Sequence, residues 1–280
     1  MGKVKRLFQK LTPPVIWDLL VSKAKEEEEI QGLLWEGPYS SWTDASREVT
    51  GYDQSGILEK CKESLLKVKN GEAVYERDSV IFDEIQYSWP LLAALQKAAL
   101  DNDGKLTVLD FGGSLGSSYF QNKAFLSSVK DLSWSIVEQP HFVACGKESF
   151  QSEDLRFYQT IEQCLEEHQV NVLLLSSVLA YLEDPFEFFE KILSYNFKYI
   201  IIDRTTFTEE SESKLMIQTV PEAIYSATYP CWFLSEDRFK SLFSNRYSII
   251  GAFESQCDGP SQVFNGIRVG WRGYFLEAKS

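Results

Sequence analysis

The stretch Leu109-Asp110-Phe111-Gly112-Gly113-Ser114-Leu115-Gly116 decides how this chain is read. It closes an apolar run at 106–111 (LTVLDF) and leads into a segment, 117–129, that reads as a helix. A buried strand turning through glycines into a helix is the opening unit of an α/β sheet, whose ligands sit beyond the carboxyl ends of its strands. Glycines at that turn let the backbone approach a ligand with no Cβ in the way.

Outward from this turn, strand and helix patterns alternate. Strands are expected at 132–138, 154–158, 170–176 and 199–203, with helices at 140–150, 161–168 and 185–195. The strand at 170–176 (VNVLLLS) is almost wholly apolar, which fits burial on both faces of a sheet. The alternation predicts a mostly parallel, doubly wound sheet. Segments 247–253 and 269–277 have no helix between them, so they are expected to pair antiparallel at one edge. An irregular stretch is expected from Asp203 to Trp232, then a helix at 235–243 with Ser235 as its cap. Upstream, helices are expected at 56–68 and at 82–100, the latter broken or kinked by Pro90. The expected organisation is an N-terminal arm and helical cover at 1–100, then a sheet domain at 101–280 with an insertion around 205–232.

Composition narrows the function classes. The 280 residues carry 28 Lys+Arg against 41 Asp+Glu, a net charge of −13, and 44% of them are hydrophobic. A sizeable core is available, and general disorder is excluded. Phosphates would be repelled by such a surface, so nucleic acid is not an expected partner. The five cysteines are scattered with no C-x-x-C, and there are only two histidines, so neither a disulfide framework nor a zinc site is expected. No apolar run is long enough to span a membrane. The first ten residues hold Lys3, Lys5, Arg6 and Lys10 and no acid, which suits peripheral contact with an anionic membrane. No signal peptide is expected, and a cytoplasmic enzyme is.

The ligand is read from the residues around the turn. Positions 112, 114 and 117 are Gly, Ser and Ser, so the G-x-G-x-x-G of dinucleotide sites lacks two of its glycines, the third among them. The G-x-x-x-x-G-K-[ST] phosphate loop is absent. An acid, Asp110, precedes the glycines and would repel a pyrophosphate. Glu138 ends the next strand, where a carboxylate can take ribose hydroxyls. S-adenosylmethionine, with its ammonium, sulfonium and ribose, fits Asp110, the turn and Glu138 together.

Region 105–203 resembles a class I S-adenosylmethionine-dependent methyltransferase. The first motif is VLDFGGSLG, the second IVEQP and the fourth LLLSSVLAYLEDP. The wider chain resembles a family of methyltransferases often encoded beside bacterial surface-polysaccharide genes, through YERDSVIFD, IDRTTF and YPCWFLS as well. The resemblance implies a Rossmann-like, seven-stranded methyltransferase sheet with an antiparallel edge, and methyl transfer to a small-molecule or saccharide acceptor. The cofactor would be held by Asp110, Gly112, Gly113, Ser114, Gly116, Glu138, Gln139, Ser176 and Ser177. Tyr181 and Asp203 are the candidate bases, and Arg204 is expected to hold an anionic acceptor by a charge-assisted fork. Tyr229 and Trp232 are expected to roof the acceptor. Plainer roles stand beside these: Gln139 as a helix cap, Ser176, Ser177 and Tyr181 as capping and packing, and Asp203-Arg204 as a buried ion pair. A non-catalytic S-adenosyl-binding scaffold and a nucleotide-sugar oxidoreductase are the alternatives.

Overall fold

The computed structural model describes residues 34–49, 55–220 and 227–279. The basic arm and its expected membrane contact lie outside the described residues.

The chain runs through β1 (Leu34–Tyr39), α1 (Trp42–Arg47), α2 (Ser55–Lys69), a hairpin of β2 (Tyr75–Arg77) and β3 (Val80–Phe82), and α3 (Trp89–Leu100). It continues as β4 (Lys105–Phe111), α4 (Ser117–Leu126), β5 (Asp131–Val137), α5 (Pro140–Ser149), β6 (Leu155–Tyr158), α6 (Ile161–Glu167), β7 (Val172–Ser176), α7 (Pro185–Ser194) and β8 (Tyr199–Thr208). Next come β9 (Lys214–Val220), β10 (Ala227–Ser235), α8 (Glu236–Phe243), β11 (Tyr247–Glu254), β12 (Gln262–Phe264) and β13 (Ile267–Ala278).

Alternation within the apolar strands builds a core on each side of the sheet. Leu106 and Val108 of β4, Leu174 of β7 and Ile201 of β8 pack with α2–α5 on one face. Leu109, Leu173, Leu175, Ile200 and Ile202 pack with α6–α8 on the other. The central strands lie in the order β6-β5-β4-β7-β8, all parallel. Strand β13 pairs antiparallel with β8, and β11 antiparallel with β13. This is the expected Rossmann-like α/β architecture, parallel at its centre with an antiparallel edge.

The seven-strand expectation needs correction, because the sheet holds eleven strands among the described residues. Strand β8 does not stop at Asp203; it runs to Thr208, and its far end pairs with β10. Strand β10 pairs with β9, and β9 with β1, so most of the expected irregular stretch is antiparallel sheet. Pro230 lies within β10 opposite Ile217 of β9, while β8 pairs only Leu234 and Ser235 of that strand. The N-terminal cover is likewise not purely helical, since it contributes β1, β2 and β3.

Pro90 does not break a helix. It occupies the first turn of α3, where a missing N–H costs nothing, and the helix begins there instead of at residue 82. Ser235 does stand at the cap of α8, but its hydroxyl makes no cap bond.

One irregularity matters for the site. Ile202 opposes Tyr274 and Thr205 opposes Arg272, so Asp203 and Arg204 together face Gly273. This β-bulge holds Arg204 at φ 52°, and bulges re-aim side chains.

Candidate functional site

A cavity of about 1550 Å³ opens at the carboxyl ends of β4, β5, β7 and β8. The β2–β3 hairpin, the 256–260 loop, and Gln218, Tyr229 and Pro230 of the β9–β10 pair enclose it. Eleven of the residues expected from sequence line this one space: Asp110, Gly112, Gly113, Ser114, Glu138, Gln139, Ser176, Ser177, Tyr181, Asp203 and Arg204. Gly116 does not. It caps α4 at φ 110°, a left-handed backbone that favours glycine, and so shapes the turn from behind. Gly113 is required by closeness: a Cβ there would meet the Asp110 carboxyl carbon at 2.5 Å.

Asp110 is 1% exposed, and its Oδ2 accepts the Trp134 indole N–H at 3.1 Å. Burial pushes its pKa up to about 7, with Glu138 adding to the rise and the indole opposing it. Glu138 accepts the Gln139 backbone N–H at 2.6 Å, and the Ser114 N–H also points to it. Burial raises Glu138 as well. Gln139 is the cap residue of α5, with no side-chain cap bond. Ser176, at the end of β7, is the register partner of Asp203, midway along β8, and the Ser177 N–H donates to the Asp203 carbonyl at 3.1 Å.

Tyr181 ends a single 3-10 turn, Leu179–Tyr181. Its hydroxyl donates to Gln218 Oε1 at 3.0 Å, and its ring meets Tyr229 edge-on at 5.3 Å. Trp232, expected as a second roof aromatic, is not in the cavity wall. It stacks on Trp42 at 6.4 Å and donates its indole N–H to the Leu182 carbonyl at 3.1 Å. Alternation along β10 turns Tyr229 and Trp232 to opposite faces.

The role expected of Arg204 also needs correction. Its Nε lies 3.1 Å from Asp258 Oδ2, and its Nη2 lies 3.0 Å from Asp258 Oδ1 and 2.7 Å from Asp78 Oδ2. The fork is therefore occupied by two carboxylates and is not presented to an anionic acceptor. The bulge aims the side chain at the hairpin and the 256–260 loop, so Arg204 ties three segments around the cavity.

Asp203 is 2% exposed and is not part of that clamp. Its Oδ1 accepts the Arg204 backbone N–H at 2.9 Å, and the buried Ser88 hydroxyl also bonds to it. Burial raises it to about 6, with Arg204 opposing and Asp258 reinforcing the rise.

Glu76, Asp258 and Gln218 also line the site, and the last two were not among the expected residues. Glu76 is 3% exposed and accepts from the Ser117 hydroxyl and from the Ser79 N–H at 3.2 Å. Burial pushes it up to about 7. Its signal was the YERDSVIFD segment; Asp258 and Gln218 sit in stretches with no distinguishing pattern.

Six carboxylates and two guanidiniums line the cavity, with no Lys or His among the described residues. A space so charged favours a cationic ligand. The donor set fits S-adenosylmethionine: acids at two neighbouring strand ends flank a turn whose Gly113 makes room for the Asp110 carboxyl.

No protein-family model matches the chain, and no curated protein matches it by sequence. Several solved structures are similar to it. One is 1,6-didemethyltoxoflavin-N1-methyltransferase of Burkholderia thailandensis with S-adenosylhomocysteine bound: 12% identity, 88% of this chain and 93% of that one, TM-score 0.39. Another is CalS10, an amino pentose methyltransferase of Micromonospora echinaspora: 8% identity, 69% and 92% of the two chains, TM-score 0.41. A third is magnesium protoporphyrin IX methyltransferase of Synechocystis PCC 6803: 12% identity, 86% and 92%, TM-score 0.39.

Proposed function

We propose that this chain binds S-adenosylmethionine in the cavity and catalyses methyl transfer to a small-molecule or saccharide acceptor. The observation that carries the reading is the placement of Asp110 and Glu138. They close β4 and β5, adjacent parallel strands, and flank the 112–116 glycine turn in one acid-lined space. Asp110, Gly112, Gly113 and Ser114 would hold the methionine end, Glu138 the ribose, and Gln139 the adenine side. Ser176 and Ser177 would border the reacting end. When bound, S-adenosylmethionine supplies a methyl group on a positively charged sulfur, already activated for attack.

The protein's own contribution is alignment, exclusion of water and removal of an acceptor proton. Asp203 is the better placed base, because the Tyr181 hydroxyl already donates to Gln218. The cavity of about 1550 Å³ exceeds the roughly 300–1000 Å³ of a single-ligand site, leaving room for an acceptor beside the cofactor. The sequence resemblance extends the reading to a surface-polysaccharide intermediate.

Calorimetry with S-adenosylmethionine, S-adenosylhomocysteine and NAD tests this. Binding of both S-adenosyl compounds without NAD is expected; NAD binding with no response to either would sink the reading. Transfer of a labelled methyl group then separates an enzyme from a binding scaffold.

A further inference from the structure

The charges lining the cavity divide into three sets. Asp78, Asp258, Arg77 and Arg204 sum to zero. Arg204 bridges both acids, and Arg77 Nε lies 3.9 Å from Asp78 Oδ2 while its Nη1 donates to Gln86 at 2.7 Å. Asp110 and Glu138 flank the glycine turn and are assigned to the cofactor's own charges and hydroxyls. Glu76 and Asp203 remain. Glu76 accepts from the Ser117 hydroxyl at the start of α4 and from the Ser79 N–H. Asp203 stands apart, two strands from β4 and in register with Ser176.

Asp203 is thus a buried carboxylate in the cavity wall whose hydrogen bonds come from a backbone N–H and a serine hydroxyl, while the Arg204 guanidinium, whose charge it feels, makes its contacts with Asp78 and Asp258. A buried charge whose nearest cation is shared with two other acids is costly, and a cationic ligand can relieve it. The cationic side chains in the cavity wall are both engaged, so a phosphate or carboxylate on the acceptor would find no free partner.

We propose that the methyl acceptor is an amine, and that Asp203 receives it as an ammonium and takes its proton before transfer. This rests on the methyltransferase reading and names the substrate class of that same site. The deprotonated nitrogen's lone pair forms the new carbon–nitrogen bond. The carbon–sulfur bond of the sulfonium breaks with its pair left on sulfur, giving S-adenosylhomocysteine, and the proton lost beforehand rests on the Asp203 carboxyl.

The test uses sinefungin, an S-adenosylmethionine analogue with a protonated amine in place of the sulfonium methyl. Its Kd is compared with that of S-adenosylhomocysteine in the full chain and in Asp203→Asn. The wild type should prefer sinefungin by about tenfold or more, the scale of one bond to a charged group. Asp203→Asn should bring the two within about threefold while keeping its affinity for S-adenosylhomocysteine. Where that variant does not fold, Asp203→Ser serves, since its hydroxyl can still receive the Arg204 N–H. A smaller preference than tenfold in the wild type overturns the proposal, as does a full preference that survives in the variant. Failure of both ligands to bind the wild type would instead overturn the cofactor reading beneath it.

Discussion

The Trp134 indole N–H donates to Asp110 Oδ2 across 3.1 Å, from β5 to β4, with both residues almost wholly buried and Asp110 in the cavity wall. A carboxylate held this way is oriented before any ligand arrives. Its environment is otherwise hostile to charge, and a cationic ligand would relieve it.

The two acids should therefore differ in weight. Asp110→Ala is expected to weaken S-adenosylmethionine binding by roughly 1.5–3 kcal/mol, the worth of a bond to a charged group. Glu138→Ala removes a carboxylate that serves neutral hydroxyls and should cost less, about 1 kcal/mol. Titration calorimetry on both variants ranks them, and the reverse order would exchange their roles.

The pH dependence has a definite sign. Asp110 and Glu76 are raised to about 7 and Asp203 to about 6. The folded chain then holds protons that the unfolded chain has already released, so stability falls as pH rises from about 4 to 7. The paired acids Asp44, Asp101 and Glu162 are held low and act only below that window. Ligand-free protein should melt several degrees higher near pH 5 than near pH 8, where a loss of about 2 kcal/mol lowers Tm by roughly 5 °C. Glu76→Gln should flatten the profile in thermal scans.

Gly113→Ala and Gly56→Ala form a matched pair. The first drives a methyl into the Asp110 carboxyl at 2.5 Å, whereas the second meets nothing within 4 Å. The first should cost about 1–3 kcal/mol and abolish cofactor binding. The second lies in α2 and should be neutral or stabilise by about 0.5–1 kcal/mol. Denaturant melts and calorimetry read both.

Arg204→Ala should act on stability. It strands Asp78 and Asp258 around the cavity, for a cost of about 3 kcal/mol in urea unfolding. Arg204→Lys should recover little, since an ammonium cannot repeat the fork across two carboxylates. Full stability in Arg204→Ala would reject the clamp.

The parallel half of the fold was legible in the sequence because its signals are local. The run at 170–176 is apolar enough to declare a two-faced strand, and the glycine turn after β4 sits within a few residues of the acid it serves. The same locality brought Asp110, the turn and Glu138 to one end of one sheet. What the sequence did not reveal depends on contacts between distant residues. Strand β9 is a strand because β1 and β10 pair with it, and residue 35 meeting residue 218 leaves no mark in either segment. Arg204 likewise reads as a free cation until the bulge opposite Gly273 turns it. Only the folded chain brings it to Asp78, 126 positions earlier, and to Asp258, 54 positions later. Periodicity is a property of neighbours, whereas charge pairing across a cavity is a property of the closed chain. The tertiary structure alone therefore decided that Arg204 is a tie between Asp78 and Asp258, with Asp203 outside that clamp.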